Sequence, residues 1–380
     1  MSSRIRITHL ITGLNTGGAE MMLYRLLSKH DRSRFHVEAV SMQPLGPLAE
    51  RIRALDVPVY SLDMPRGIPD TRALVRLPLI LRRARTQVVQ TWMYHADLLG
   101  GVVARAVTHA ALVWGIHNST LEPGKTSRLT LATVEACARL SRYAPHKIVC
   151  CSKVAQALHE RLGYDPSKMV HIPNGFDLEL FQPDRAQGLA QRASLDIPSD
   201  AAVVGLFGRF DPQKDHANFV QAAAILSRKM AGVYFVLCGD GVEPQNEHLR
   251  SQIEKVGLMP RFRLLGRRSD VHSLMKTLDV LALSSAYGEA FPLVIGEAMA
   301  SGIPCVSTEL GDVQELIGST GKVVPPRAPA PLAEGLFSVL NLPEAERLTL
   351  GQQARAHIEA HFSLPEITRR YEALYTSLAG

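Results

Sequence analysis

The chain has 380 residues, 46% apolar and 21% charged, with a formal net charge of +6. That length is too great for one ordinary domain and suits two of Rossmann size. Five cysteines without a Cys-x-x-Cys spacing argue against a disulfide framework or a zinc site and point to a reducing compartment, and no apolar run nears the roughly 18 residues of a membrane span.

Taken in chain order, short β-branched runs alternate with helical stretches, the pattern of open parallel α/β sheets. The opening "MSSRIRITHLITGL" reads as a first strand, "RIRITHLI", rather than a signal peptide, which places the protein in the cytoplasm. The turn "ITGLNTGGAE" follows, with Gly13, Gly17 and Gly18 before a helix starting near Ala19. It lacks the Gly-x-Gly-x-x-Gly of nicotinamide enzymes, which argues against a dehydrogenase, and a tight connection explains it as well as a ligand does.

After the strands "HVEAVS" and "PVYSL" comes "TRALVRLPLILRRAR", where Arg72, Arg76, Arg82, Arg83 and Arg85 surround Leu77, Leu79, Ile80 and Leu81. Residues 1–190 hold 24 Lys and Arg against 15 Asp and Glu, or +9, whereas residues 191–380 hold 18 against 21, or −3. The basic surplus thus belongs to the first half, and this stretch could dock on anionic lipid at the inner face of a membrane. Pro78, interrupting the amphipathic pattern, favours instead a solvated basic helix packed on its own sheet. Nucleic acid is not expected, because no aromatic and basic interleaving accompanies the charge.

The strands "VVQTW", "ALVWGI" and "HKIVCCS" complete a first domain, residues 1–171. Residues 172–187, "IPNGFDLELFQPDRAQ", form a linker rich in Pro, Asn, Gly and polar side chains. A second domain, 188–362, restarts with "AAVVGLFG" and continues through "VYFVLCG", "RFRLLG", "LDVLALS", "IPCVST" and "GKVVP"; a terminal helix, 363–380, completes the first. The expected architecture is two Rossmann-like domains with a cleft between them.

Ligands of such sheets sit beyond the carboxyl ends of the strands, which singles out the residues just after each strand. His117 follows "ALVWGI" directly and is either a satisfied loop residue or a site residue. Arg209 and Lys214, in "GLFGRFDPQKDH", could neutralise a departing diphosphate, or merely pair with Asp211 and Asp215 at the surface.

The stretch 288–304, "GEAFPLVIGEAMASGIP", sets Glu289 and Glu297 around a short apolar segment. Pro292 suits the first position of a helix over 292–301, because its missing N–H is unneeded there. The free amides of Leu293 and Val294 would then make a partial positive site for phosphate. Glu289 falls before that end and Glu297 about 8 Å along the axis from it. Ionised carboxylates are only acceptors, so hydroxyls on either side of a phosphate are their natural ligands. That is the outline of a sugar nucleotide.

These residues together resemble glycosyltransferase family 4, the retaining GT-B enzymes. The likeness runs through "TGGAE", "IPNGFD", "GRFDPQKD", "LCGDG", "FRLLGRRSDV" and "GEAFPLVIGEAMASGIPCVST", whose Glu289 and Glu297 match the family's Glu-x7-Glu motif. Ala290 stands where the family often has glycine, and so does Asp215. The resemblance implies a donor site in which Arg209 and Lys214 hold the diphosphate, aided by Leu293, Val294 and the Gly17–Gly18 turn. Glu297 would take the ribose, Glu289 the transferred sugar, and Phe291 would adjoin the donor. His117 would lie near the sugar's reacting face, and the backbone around Arg267 and Arg268 would frame the base. Tyr94 and His95, in "TWMYHADLLGG", are acceptor contacts or packing residues.

The implied activity is metal-independent, cofactor-free transfer of a hexose from a nucleotide-diphosphate sugar, a UDP-sugar in preference to a GDP-sugar. The acceptor would be a lipid-linked or saccharide hydroxyl, and the setting the assembly of lipopolysaccharide, capsule or exopolysaccharide. A non-hydrolysing nucleotide-sugar epimerase and a non-catalytic sugar-nucleotide-binding scaffold are the rival readings.

Overall fold

The computed structural model describes residues 4–65, 73–121 and 126–379. Two compact units emerge, residues 1–175 with 364–380, and residues 176–363. Among the described residues, no helix is long and apolar enough to cross a membrane.

The first unit is built on seven parallel strands: Ile5–Ile11 (β1), Phe35–Ser41 (β2), Val59–Ser61 (β3), Val88–Trp92 (β4), Ala111–Ile116 (β5), Lys147–Cys150 (β6) and Met169–His171 (β7). They lie in the order β3-β2-β1-β4-β5-β6-β7. The last, three residues long, carries no periodic signal and was not expected from the sequence. Parallel sheets are covered by helices on both faces, which is why these strands read as nearly continuous apolar runs. On one face Ile7 and Ile11 pack with Met22, Leu23 and Leu26 of the helix Gly18–Lys29. Leu364, Ile367, Tyr371 and Tyr375 of the C-terminal helix Leu364–Leu378 join the same cluster. That segment therefore closes the core of the first unit. On the other face Leu10 and Val40 meet Leu77 and Leu81 of the helix Ala73–Ala84.

This last helix packs on its own sheet as expected, but the amphipathic pattern that Pro78 was expected to interrupt runs straight through the proline. Ala73, Leu77 and Leu81, four residues apart, still share the buried face. The hydrogen bond lost to Pro78 is that of the Leu74 carbonyl, and Leu74 is exposed, where water can replace the missing donor. Arg72 lies outside the described residues.

The second unit has six parallel strands: Val203–Phe207 (β8), Tyr234–Cys238 (β9), Phe262–Leu264 (β10), Val280–Leu283 (β11), Cys305–Thr308 (β12) and Lys322–Val324 (β13). Their order is β10-β9-β8-β11-β12-β13, so the direction of winding reverses between β8 and β11. After β11 comes the helix Leu293–Ala300, buried through Ile295, Ala298 and Met299. Its seat depends on one missing side chain. A Cβ on Gly296 would lie 2.0 Å from Cζ of Phe176, and that ring stacks on Phe291 just before the helix.

In an unpacked helix, glycine to alanine stabilises by about 1 kcal/mol. Here Gly296→Ala should instead destabilise by about 1–3 kcal/mol through overpacking against Phe176, read from the midpoint of denaturant unfolding. A gain in stability would show that the ring has room to move aside.

Candidate functional site

Where winding reverses, neighbouring strands send their following loops to opposite faces and leave a crevice at their carboxyl ends. In the second unit the loops after β8 and β11 meet there. Glu289 is buried, and its Oε1 accepts from Nζ of Lys214 at 2.6 Å and from Oγ of Ser285 at 2.6 Å. Backbone bonds hold the two loops in register. The Ala286 N–H donates to the Gln213 carbonyl at 2.8 Å, and Oγ of Ser284 donates to the Lys214 carbonyl at 2.7 Å. Thr308, at the end of β12, adds a bond to the Ser285 carbonyl.

Beyond Glu289 the chain turns into the helix Leu293–Ala300, with Pro292 as its N-cap. The sequence placed Pro292 one position later, inside the first turn. The consequence for the site is small, because proline in either place leaves the first amides free. Among the described residues Leu293 and Val294 find no acceptor for their N–H groups, and both are half-buried. Glu297 is half-buried one turn further along. Phe291 differs from expectation: its ring packs between Phe176 and Phe362, at centroid distances of 6.1 and 5.5 Å, which leaves only its backbone to adjoin the site.

Arg209 and Arg268, two other cations singled out in this unit, already have partners. Arg209, 57% exposed, reaches Asp211 at 3.3 Å and Gln213 at 2.9 Å, so a diphosphate would have to draw it away from them. Arg268 forms a two-pronged pair with Asp270 at 2.8 and 2.7 Å. Next to it Gly266, at φ +63°, turns its carbonyl to the N–H of Gly239. The loops after β9 and β10 are thereby joined around exposed Arg267 and Arg268.

In the first unit the reversal falls between β1 and β4. Gly17 caps the helix Gly18–Lys29, and both glycines are exposed. The carboxyl of Glu20 folds back over that end, 2.3 Å from where a Gly17 Cβ would stand. Burial pushes Glu20 up, while a bond to its own amide draws it down. An incoming anion would have to displace it.

After β4, Met93 holds φ +74°, a conformation that strains a non-glycine residue by about 1–3 kcal/mol. Its N–H donates to the Gly115 carbonyl at the end of β5. Asp97 binds the same two strand ends, accepting from Oγ1 of Thr91 and from the Gly115 N–H. Burial pushes its carboxyl up to about 8, so at neutral pH it acts largely as a protonated acid. Tyr94 is a packing residue, 2% exposed. Nδ1 of His159 lies 2.7 Å from the Ala155 carbonyl, which requires it to donate, and Nε2 is then left to accept from the Tyr94 hydroxyl at 2.9 Å. His95, half-buried, remains the acceptor candidate of this loop.

His117 stacks on Trp92, centroids 5.0 Å apart and planes at 22°. Trp92 in turn stacks on Tyr371 of the C-terminal helix. Neither ring nitrogen of His117 has a partner among the described residues, and burial lowers its pKa to about 4. The side chain is therefore a neutral imidazole at physiological pH, able to donate one hydrogen bond and accept another.

Residues 16–180 match the family model described as Glycosyltransferase Family 4, and residues 189–357 match Glycosyl transferases group 1. The chain belongs to glycosyltransferase family 4. Putative glycosyltransferase EpsF of Bacillus subtilis (strain 168) is 27% identical over 81% of this chain and 80% of its own. The UDP-Gal:alpha-D-GlcNAc-diphosphoundecaprenol alpha-1,3-galactosyltransferase of Escherichia coli is 26% identical, with the same coverage. Among solved structures, Anabaena HepE in complex with UDP-glucose superposes with a TM-score of 0.85 at 22% identity, covering 98% of this chain and 100% of that one. Two parallel-sheet Rossmann-like domains in one chain, with such structural neighbours, are the GT-B fold.

The family's preferences now acquire a physical reason. Asp215 of this glycosyltransferase sits at φ +48°, ψ +56°, left-handed backbone that glycine adopts without strain. Its carboxylate accepts from the Asn218 N–H at the start of the helix His216–Lys229, a cap that glycine cannot supply. Gly311, not singled out from the sequence, has φ +57° and passes so close to the carbonyls of Glu289 and Ala290 that a Cβ would come within 2.3 and 2.4 Å of them. The Asp312 N–H then donates to the Ala290 carbonyl. Gly311 lies 22 positions after Glu289.

The folded pKa of His117 lies below the ordinary 6.5, so its neutral ring contributes stability that is complete above pH 6.5 and lost as pH falls towards 4. A nitrogen-15 imidazole titration should show a His117 midpoint near 4 and loss of melting temperature over the same range. A midpoint at 6.5 would mean that water reaches the ring.

Proposed function

We propose that this family 4 glycosyltransferase moves a hexose from a UDP-sugar to a hydroxyl of a lipid-linked or saccharide acceptor, with retention and without a metal, in the assembly of a cell-surface polysaccharide. The observation that carries this reading is the meeting of Lys214, Glu289 and the unbonded amides of Leu293 and Val294 at the strand reversal. A relative named for UDP-Gal and a diphosphoundecaprenol-linked acceptor, and a neighbour solved with UDP-glucose, support a UDP-sugar and a lipid-linked acceptor. Residues 188–362 would bind the donor and residues 1–171 with 363–380 the acceptor. The first half would meet an anionic membrane from the cytoplasmic side through its surplus of +9.

As the bond from the sugar to the diphosphate breaks, charge grows on the phosphate and an oxocarbenium-like centre forms. Lys214, with three donors, can keep one on Glu289 and turn another to phosphate, while the helix-end amides add fixed positive ends. Arg209 would join by leaving Asp211 and Gln213. Glu289 would hold hydroxyls of the transferred sugar and Glu297 those of the ribose. The acceptor hydroxyl would attack on the face that the phosphate leaves, and its proton would pass to the departing phosphate oxygen. His117, neutral, would serve the sugar by hydrogen bonding rather than by charge.

Screening UDP- and GDP-sugars with saccharide and lipid-linked acceptors tests the reaction directly. A new glycosidic bond is expected; a free epimer would establish the epimerase instead, and binding without turnover a scaffold. Activity should persist in excess EDTA, and NMR of the first-formed product should show the donor's anomeric configuration. Loss of activity restored by Mg²⁺, or the opposite anomer, would remove those parts of the proposal.

The two acids should separate. Hydrogen bonds to charged groups contribute about 1.5–3 kcal/mol, or about 10- to 150-fold. Glu297→Gln should weaken calorimetric binding of UDP within that range. Glu289→Gln should leave UDP affinity nearly unchanged while turnover falls, because its contacts act on the reacting sugar. Equal effects on UDP would show that the acids do not divide sugar from ribose, with melting curves checking that both variants fold.

A further inference from the structure

At the amino ends of the first unit's strands, one sheet face breaks the rule that a parallel sheet is apolar on both sides. Arg6 and Thr8 of β1 stand beside His36 and Glu38 of β2, and Tyr60 of β3 lies next to Val40. The helix Ala73–Ala84 covers this face with Leu77 and Leu81 further along, but here it leaves a cavity of about 600 Å³. Leu79, Ile80 and Arg83 of that helix close one side, and Arg4, Arg6 and His36 another. Arg6 is five residues from the carboxyl end of β1, roughly 16 Å, so the cavity is at the opposite end of the sheet from the loops described above.

Its charge is not balanced. Three guanidiniums face one carboxyl, Glu38, whose Oε1 is taken by Oγ1 of Thr8 at 2.8 Å and which burial pushes towards its neutral form. Arg83 makes no hydrogen bond or close ion pair among the described residues, although its charge is near enough to draw the Glu38 carboxyl down; Arg4 and Arg6 reach only backbone carbonyls, at 3.4 and 3.1 Å. His36 registers the same surplus: desolvation lowers its pKa, and Arg4, Arg6 and Arg32 lower it further. Cations in excess of carboxylates around a concave wall concentrate an anion. Beside the opening the wall turns apolar and exposed. Leu79 is 61% exposed, and Val75, one turn earlier on the same helix face, is 64% exposed.

We propose that this cavity holds the phosphate headgroup of an anionic lipid, with Arg4, Arg6 and Arg83 on the phosphate and Leu79 and Val75 against the chains. The proposal rests on the membrane contact put forward above and makes it a defined headgroup site rather than a diffuse charge.

The test uses the full chain and dihexanoylphosphatidic acid, kept below its aggregation limit, titrated by calorimetry at about 0.15 M salt, where the Debye length is about 8 Å. Inorganic phosphate is titrated in parallel. Arg4→Gln with Arg83→Gln removes two charges from the cavity; Arg82→Gln with Arg85→Gln removes two from the same basic segment outside it. All four arginines are exposed, so folding should survive, and melting curves check this. The cavity pair should bind the lipid at least about ten-fold more weakly than the natural chain, and the control pair within about two-fold of it. Inorganic phosphate should bind at least about ten-fold more weakly than the lipid, because the chain contacts are missing.

No binding by the natural chain, or equal weakening in both pairs, overturns the site. Phosphate binding as tightly as the lipid overturns the lipid as occupant and leaves a soluble phosphate compound in its place. Flotation with phosphatidylcholine vesicles, with and without phosphatidic acid, separates the two levels. If the natural chain and both pairs float equally, membrane contact stands and the headgroup site falls. If the natural chain never floats, the membrane reading itself falls.

Discussion

Lys214 and Glu289 meet at 2.6 Å with 15% and 8% of their side chains exposed, and the geometry of the second unit's candidate site hangs on that contact. A charge pair shielded from water persists only when its hydrogen bonds are nearly complete, and removing one partner leaves the other uncompensated, at about 3–5 kcal/mol. The Ser285 hydroxyl adds a second bond to the Glu289 carboxylate, and the bonds of Ser284 and Thr308 to backbone carbonyls hold the loops that carry the pair. Sheet order makes the pairing possible. Because β8 and β11 are neighbours with connections leaving in opposite directions, residues 75 positions apart in sequence arrive at one point. In the proposed reaction the pair would keep the acid assigned to hydroxyls within reach of the cation assigned to phosphate, so a donor's two chemical ends would be held by groups already in contact.

The first unit shows how far a loop's function depends on what lies behind it. His117 has a flat aromatic support, Trp92, which rests on Tyr371 from the end of the chain. The C-terminal helix is thus part of the first unit's core and of the wall behind His117. Met93 and Asp97 fix the neighbouring turn, one through a strained backbone and the other through a buried carboxyl. Rigid support of this kind is what lets a neutral imidazole keep a defined direction without a hydrogen-bonding partner among the described residues.

Charge is divided between the two halves as structure is. The surplus of the first half includes the exposed arginines of the helix Ala73–Ala84 and two arginines at the start of β1, while the second half, net acidic, spends its cations in pairs such as Arg268 with Asp270 and Arg192 with Asp279. A cation in a short-range pair contributes little to the field at a distance, whereas Arg83, with no close ion pair among the described residues, contributes more.

Strand positions were legible from the sequence where apolar runs marked them, as in "VVGLF" or "RITHLI", because burial on both faces writes a continuous apolar run; β7, "MVH", with all three residues only half-buried, carries no such run. The two acids of 288–304 and the open helix end were legible for a similar local reason, since proline and glycine govern nearby backbone whatever surrounds them. Partnership was not. Nothing near Tyr94 announces His159, 65 positions away, nor does the surrounding sequence show that Phe291 packs on Phe176 and Phe362. Pro78 read as an interruption of the amphipathic stripe because the sequence does not show that its ring is buried beside Leu77 and Leu81. Sequence by itself determined the α/β class, the strands and the residue types at the ends of the strands, all set by local periodicity and backbone preference. Tertiary structure alone decided which of those residues are already spoken for, because hydrogen bonds and packing join atoms that are close in space, however far apart they stand along the chain.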